Sequence, residues 1–168
     1  MLMISINLTG LDKKYFVYDA ISKSFIGASD KIEIDIHGGA KLFALLPYRV
    51  RSLELNISNS VVENGGKVNY SLRIFPQDAF STAIRHVLIV ELIDPSGKSI
   101  PSYKSEIETS GWVLDGTLLL SDNENPGRWI MRVTDTATGK QTERAFVIKA
   151  DIDNTGFAGK IFYSSEIQ

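Results

Sequence analysis

Apolar and polar residues alternate with a period of two along most of this chain, and that period restricts it to β-structure. The clearest run is KIEIDI at residues 31–36, where Ile32, Ile34 and Ile36 share one face and Lys31, Glu33 and Asp35 the other. Successive side chains of a strand point to opposite faces, so such a run covers a core on one side and meets water on the other. The same alternation marks MISINL, YFVYD, KLFALL, VRSLELNI, KVNYSLRIF, IRHVLIVELI, TLLLS, RWIMRVTD, ERAFVIK and KIFYS. Between them lie GASD, HGG, NGG, DPSG, DNENPG and TATG, all rich in turn formers. No stripe at helical spacing runs for three turns. About ten short strands with frequent turns predict an all-β chain of antiparallel sheets arranged as sandwiches.

One junction breaks the pattern of strand and turn. In KLFALLPYRV, residues 41–50, an apolar strand stops at Pro47 and a second alternating run, VRSLELNI, begins at Val50 without turn residues between. A hairpin would place Gly, Asn or Asp there. Proline has no N–H for a central ladder and pushes Leu46 toward extended geometry, so the chain stays extended and enters a second sheet system. We therefore divide the chain into residues 1–48, the closing strands of a partial β-sandwich domain, and residues 49–150, an immunoglobulin-like β-sandwich. Residues 151–168 form a tail that adds a strand or docks on the surface. The first piece is too short for a sandwich of the usual ~100 residues, so the chain reads as a fragment of a longer protein. Tyr48 is expected at the junction, its ring partly buried and its hydroxyl near a polar group.

Composition excludes several classes of function. The 168 residues are 43% hydrophobic and carry a formal net charge of −2, with Lys and Arg scattered singly. No clustered basic face suits nucleic acid, and no apolar run is long enough to span a bilayer. There is no cysteine, which removes disulfides, thiolate catalysis and Cys-ligated zinc. The opening MLMISINL lacks the features of an export signal.

Catalytic chemistry finds little support. Glycoside hydrolysis needs two carboxylates facing each other across a cleft, but the acidic residues lie on polar strand faces or in turns. Asp19, Asp94 and Asp135 each end a strand before a turn, and all three read as turn builders that accept backbone N–H groups. His37 and His86 have no partner at metal-ligand spacing and read as structural or exposed. No nucleophile elbow occurs. Asp151, Asp153 and Thr155, with Gly156, match the first half of a calcium loop. Position 12 is Phe162 instead of glutamate, so a solvated turn is the first reading and a calcium site of another geometry the second. Asp122 to Asn125, before Pro126-Gly127, also reads first as a turn. No cofactor is expected. Trp129 alternates inward with Met131 and Val133 and reads as a core residue. Trp112 and Tyr103 are the candidates for an exposed aromatic platform that would stack on sugars, with packing under a loop as the first reading.

Residues 16–48 carry Phe16-Val-Tyr18-Asp19, Phe25-Ile-Gly27, the KIEIDI run and Gly39-Ala40-Lys-Leu-Phe43-Ala44-Leu45-Leu46-Pro47-Tyr48. This resembles the closing β-domain that follows the catalytic barrel in large bacterial glycoside hydrolases, β-galactosidase-like ones included. The second part, with Val90 to Gly97, Tyr103, Asn125 to Trp129 and Val133 to Gly139, resembles an immunoglobulin-like or macroglobulin-like module found after it. One departure is Ser22-Lys23-Ser24, where the family's turn often has glycine. The resemblance implies a non-catalytic accessory region whose partner is the catalytic domain of the same parent chain, with polysaccharide as a further partner. It also implies periplasmic or secreted location through that parent. None of the family's catalytic carboxylates carries over, because they sit on the barrel. The alternative is an independent carbohydrate- or protein-binding module of the adhesion type.

Overall fold

A computed structural model describes residues 3–8, 15–35, 39–79 and 85–150. These contain thirteen strands and no α-helix: β1 (Met3–Asn7), β2 (Tyr15–Asp19), β3 (Ser24–Ser29), β4 (Lys31–Asp35), β5 (Phe43–Leu46), β6 (Val50–Ile57), β7 (Val61–Val62), β8 (Lys67–Pro76), β9 (Val87–Ile93), β10 (Ser105–Glu108), β11 (Val113–Leu119), β12 (Gly127–Asp135) and β13 (Gln141–Ile148). The all-β expectation holds. Ile36, His37, the KIFYS run and the calcium candidates Asp151, Asp153 and Thr155 lie outside the described residues.

The second part is a sandwich of two sheets, ordered β10-β9-β12-β13-β7 and β11-β8-β6. Alternation builds it directly. Val68, Tyr70, Leu72 and Ile74 of β8 face Leu88, Val90 and Leu92 of β9 and Trp129, Met131 and Val133 of β12 across one core. The intervening Arg73, Asn69 and Val87 are exposed. One pairing departs from the antiparallel rule: β7 runs parallel to β13, with Val61 opposite Val147. The chain leaves one sheet after β6 and adds β7 to the edge of the other, so a two-residue strand enters alongside β13. Gly116 of β11 lies opposite Tyr70, and a Cβ there would stand 2.3 Å from the ring, so only glycine leaves room for it.

The first part holds a three-stranded sheet, β3-β2-β5, and a ribbon of β1 with β4. Ile32 of β4 is buried while Lys31, Glu33 and Asp35 are exposed, as alternation requires. The chain passes from β5 to β6 through Pro47, Tyr48 and Arg49. Leu46, Tyr48 and Val50 are all buried, so the period of two runs unbroken through the junction. That continuity is why no turn residue is needed. Tyr18, Leu46, Tyr48 and Val50 belong to the same apolar cluster as the sandwich core.

Candidate functional site at the sheet junction

Tyr48 is held at the junction by extended backbone on both sides, and its ring is 2% exposed. His86 immediately precedes β9 and has the inward parity of Leu88, Val90 and Leu92. Asp135 ends β12 on the inward parity of Trp129, Met131 and Val133. Parity alone therefore sends an imidazole and a carboxylate into the core beneath the tyrosine.

The three groups meet. The Tyr48 hydroxyl lies 2.7 Å from His86 Nε2, and His86 Nδ1 lies 3.1 Å from Asp135 Oδ1. The second Asp135 oxygen accepts the Thr138 hydroxyl. The His86 backbone N–H donates to Thr109 Oγ1. With the carboxylate as acceptor, we assign Nδ1–H as the donor to Asp135 and the phenol as the donor to Nε2. Every polar atom of the imidazole is thus satisfied, as burial demands. The order of groups is that of a phenol–imidazole–carboxylate relay. Its imidazole and carboxylate are, however, fully enclosed, with no exposed side-chain surface for a substrate to approach. The arrangement is suited to fixing the junction, and Trp112 closes it from outside with its ring 4.9 Å from that of Tyr48.

This corrects the reading of the three strand-ending aspartates as equivalent. Asp19 accepts the N–H groups of Ile21 and Ser22, and Asp94 those of Ser96 and Lys98, both as turn builders. Asp135 instead turns inward. Its carboxylate serves His86 and Thr138, and the turn is closed by its backbone carbonyl, which accepts Gly139 N–H. The hydrogen bonds that such turn builders accept stabilise the carboxylate and lower its pKa. Asp94 is held below the ordinary aspartate value first by the Ser96 hydroxyl and then by Lys98 N–H, and Asp19 chiefly by Ser22 N–H.

The two aromatic candidates are not brought together. Trp112 precedes β11, where its carbonyl accepts Ile74 N–H. Tyr103 reaches the other end of that strand: its oxygen accepts Ser121 N–H at 2.8 Å and its hydroxyl donates to Glu124. A seven-residue strand at ~3.3 Å per residue separates the two ends by roughly 20 Å. Tyr103 also meets the Trp129 ring edge-on at 6.3 Å, and burial raises its hydroxyl above the ordinary value. Both rings are partly buried against the core. Trp129 itself is 1% exposed and donates Nε1–H to the Asn125 carbonyl.

Among the described residues no cluster of three His, Asp or Glu side chains could hold a metal. In the turn at 122–125, Glu124 is engaged by Tyr103, and Asn123 accepts the Ser121 hydroxyl. A polar groove crosses β8 and β11, lined by Ser58, Asn69, Ser71, Asp115 and Thr117, with the Thr117 hydroxyl donating to Asn69. No helix among the described residues is long and apolar enough to cross a membrane.

No protein-family model matches the chain, and no curated protein matches it. Among solved structures, the alkylpurine DNA glycosylase AlkC of Pseudomonas fluorescens, bound to DNA containing an abasic site analog, is similar over 61% of this chain and 31% of its own, with 15% identity and a TM-score of 0.44. A β-glucosidase from Listeria innocua in complex with glucose is similar over 59% of this chain and 16% of its own, with 14% identity and a TM-score of 0.40. A CARDB domain from Pyrococcus furiosus, in complex with di-metal ions, is similar over 58% of this chain and 85% of its own, with 8% identity and a TM-score of 0.39. This chain thus spans less than a third of the first two proteins. Likeness of this size says nothing of what the chain binds or does.

Proposed function

We propose that this chain is a non-catalytic accessory region of a larger carbohydrate-degrading enzyme, bracing and spacing the catalytic domain of the same parent. The observation that carries the reading is the single core running from β2 and β5 through Tyr48 into the sandwich. A spacer must pass orientation from one end to the other, and a junction that is buried, apolar and hydrogen-bonded does that where a flexible linker would not. The tie to glycoside hydrolases rests on the motif resemblance of residues 16–48 and 90–139, and periplasmic or secreted location follows from that tie.

The reading makes the isolated chain inert. Chromogenic galactosides and glucosides should survive incubation with it at micromolar concentration. Its removal from the parent enzyme should lower the melting temperature of the remainder while leaving the catalytic carboxylates in place. Glycoside turnover by the isolated chain, abolished by changing one carboxylate, would overturn the proposal. The groove over β8 and β11 favours a second reading, an independent carbohydrate- or protein-binding module. Saccharide binding that is lost in Asn69→Ala and Asp115→Ala would select it.

A further inference from the structure

A second feature lies beside the junction. A cavity of about 270 Å³ opens between the β2–β3 hairpin, the start of β6 and the turn after β12. Lys23, Arg49 and Lys140 all line it, although they are far apart in sequence. Among the described residues no carboxylate lies within ion-pair distance of any of the three. Lys23 spends one N–H on the Thr136 carbonyl at 2.7 Å, and Arg49 lies over the Phe25 ring with its guanidinium 4.5 Å from the centroid. That stacking fixes the guanidinium plane and leaves its N–H edge for a ligand.

Tyr18 also lines the cavity. The Tyr18 side chain is 3% exposed, yet its hydroxyl has no hydrogen-bond partner. The Val50 N–H is near enough to favour the phenolate without reaching hydrogen-bond geometry. Burial outweighs that and Arg49, and raises the hydroxyl above 10.0, so it is a donor at neutral pH. Asp135 is the carboxylate that the phenol feels, and both of its oxygens are already bonded, to His86 and Thr138.

Lys23 has a φ of +58°, in the left-handed region that side-chain-bearing residues rarely adopt. The residue closes the β2–β3 turn, where hairpin loops commonly place a left-handed residue. Opposite it, Gly139 has φ +70°, and a Cβ there would stand 2.4 Å from Lys23 Cβ. Glycine at 139 opens the path by which the lysine crosses to the other sheet.

We infer that this cavity binds a compact oxyanion — a sulfate, phosphate or carboxylate group — held by Lys23, Arg49 and Lys140. The volume lies just below the usual range for organic ligands, which suits a single anionic group better than an oligosaccharide. The group could arrive as a free inorganic ion or on an acidic sugar. The site stands independently of the proposed accessory role.

The test is thermal unfolding of the full chain at constant ionic strength, exchanging sodium chloride for sodium sulfate, sodium phosphate, sodium glucuronate or neutral glucose. Sulfate or phosphate should raise the melting temperature by a few degrees in a saturable way. A larger rise with glucuronate would identify a sugar-borne carboxylate as the source, and glucose should have no effect. Arg49→Ala and Lys140→Gln should each weaken the apparent affinity about tenfold or more, the loss of one charge-assisted hydrogen bond. Lys23→Gly should do the same while the chain stays folded, because glycine relieves the left-handed backbone. Equal melting temperatures in chloride and every oxyanion would overturn the inference. So would an oxyanion response that persists in Lys140→Gln and Lys23→Gly.

Discussion

The Tyr48 hydroxyl stands 2.7 Å from His86 Nε2, joining the residue that links the two sheet systems to the start of β9 in the sandwich. The bond is buried at both ends, so neither partner can turn to water if the other is lost. Below the imidazole, Asp135 fixes the tautomer that lets Nε2 accept.

The first prediction removes one atom from this chain of bonds. Tyr48→Phe keeps the ring that packs on Trp112 and deletes only the hydroxyl, leaving Nε2 buried without a donor. The expected cost is about 1–3 kcal/mol, the penalty for one orphaned buried group. Urea denaturation should show a lower midpoint with an unchanged slope, because the surface exposed on unfolding is the same. A cost near zero would mean that the phenol is dispensable to the junction.

The second concerns acid. Hydrogen bonds to their ionised forms hold Asp19 and Asp94 below the ordinary value of 3.8. A carboxylate whose folded pKa is depressed contributes stability that is complete above its unfolded pKa and lost as pH falls through the folded one. The two turns should therefore weaken only below about pH 4, the ordinary range for an unfolded aspartate. Asp94→Asn keeps an oxygen for the Ser96 and Lys98 N–H groups but cannot titrate. The variant should be less stable than the parent at pH 6, and the gap should narrow as the pH approaches 2. A gap that stays constant over that range would rule out the linkage.

Which parts of this were legible in the sequence follows from the range of the interactions. Alternation is local, so KIEIDI and RWIMRVTD revealed their buried faces, and the unbroken parity of Leu46, Tyr48 and Val50 could be read through the proline. The inward position of Asp135 was equally readable. It follows Trp129, Met131 and Val133 at the same spacing, and His86 precedes Leu88, Val90 and Leu92 in the same way. The turn motif after Asp135 concealed it, because the same strand-end position serves Asp19 and Asp94 as a cap. The separation of Trp112 from Tyr103 was not readable, since it depends on which end of β11 each one meets. The oxyanion cavity was further out of reach. It takes residues from positions 18–25, 49–50 and 138–140, and its key feature, the left-handed Lys23, has no signature beyond a missing glycine.

The last prediction separates the two tryptophans. Trp129 lies between the sheets with its N–H on the Asn125 carbonyl, and Met131 and Val133 follow it on the same face. Trp129→Ala removes the ring and strands that carbonyl, and a change of this type costs about 3–5 kcal/mol by transfer and cavity terms. That approaches the total stability of a small domain, about 5–15 kcal/mol, so the variant should be unfolded or molten at room temperature. Trp112 is partly buried against Tyr48 and should cost less when truncated, because its ring keeps one face toward solvent. Acrylamide quenching on Trp112→Phe and Trp129→Phe, each leaving one indole, measures the difference directly. The fluorescence of Trp129 should resist quenching while that of Trp112 yields to it. A readily quenched Trp129 beside a protected Trp112 would invert the register of β12, and with it the inward placement of Asp135 on which the Tyr48–His86 junction depends.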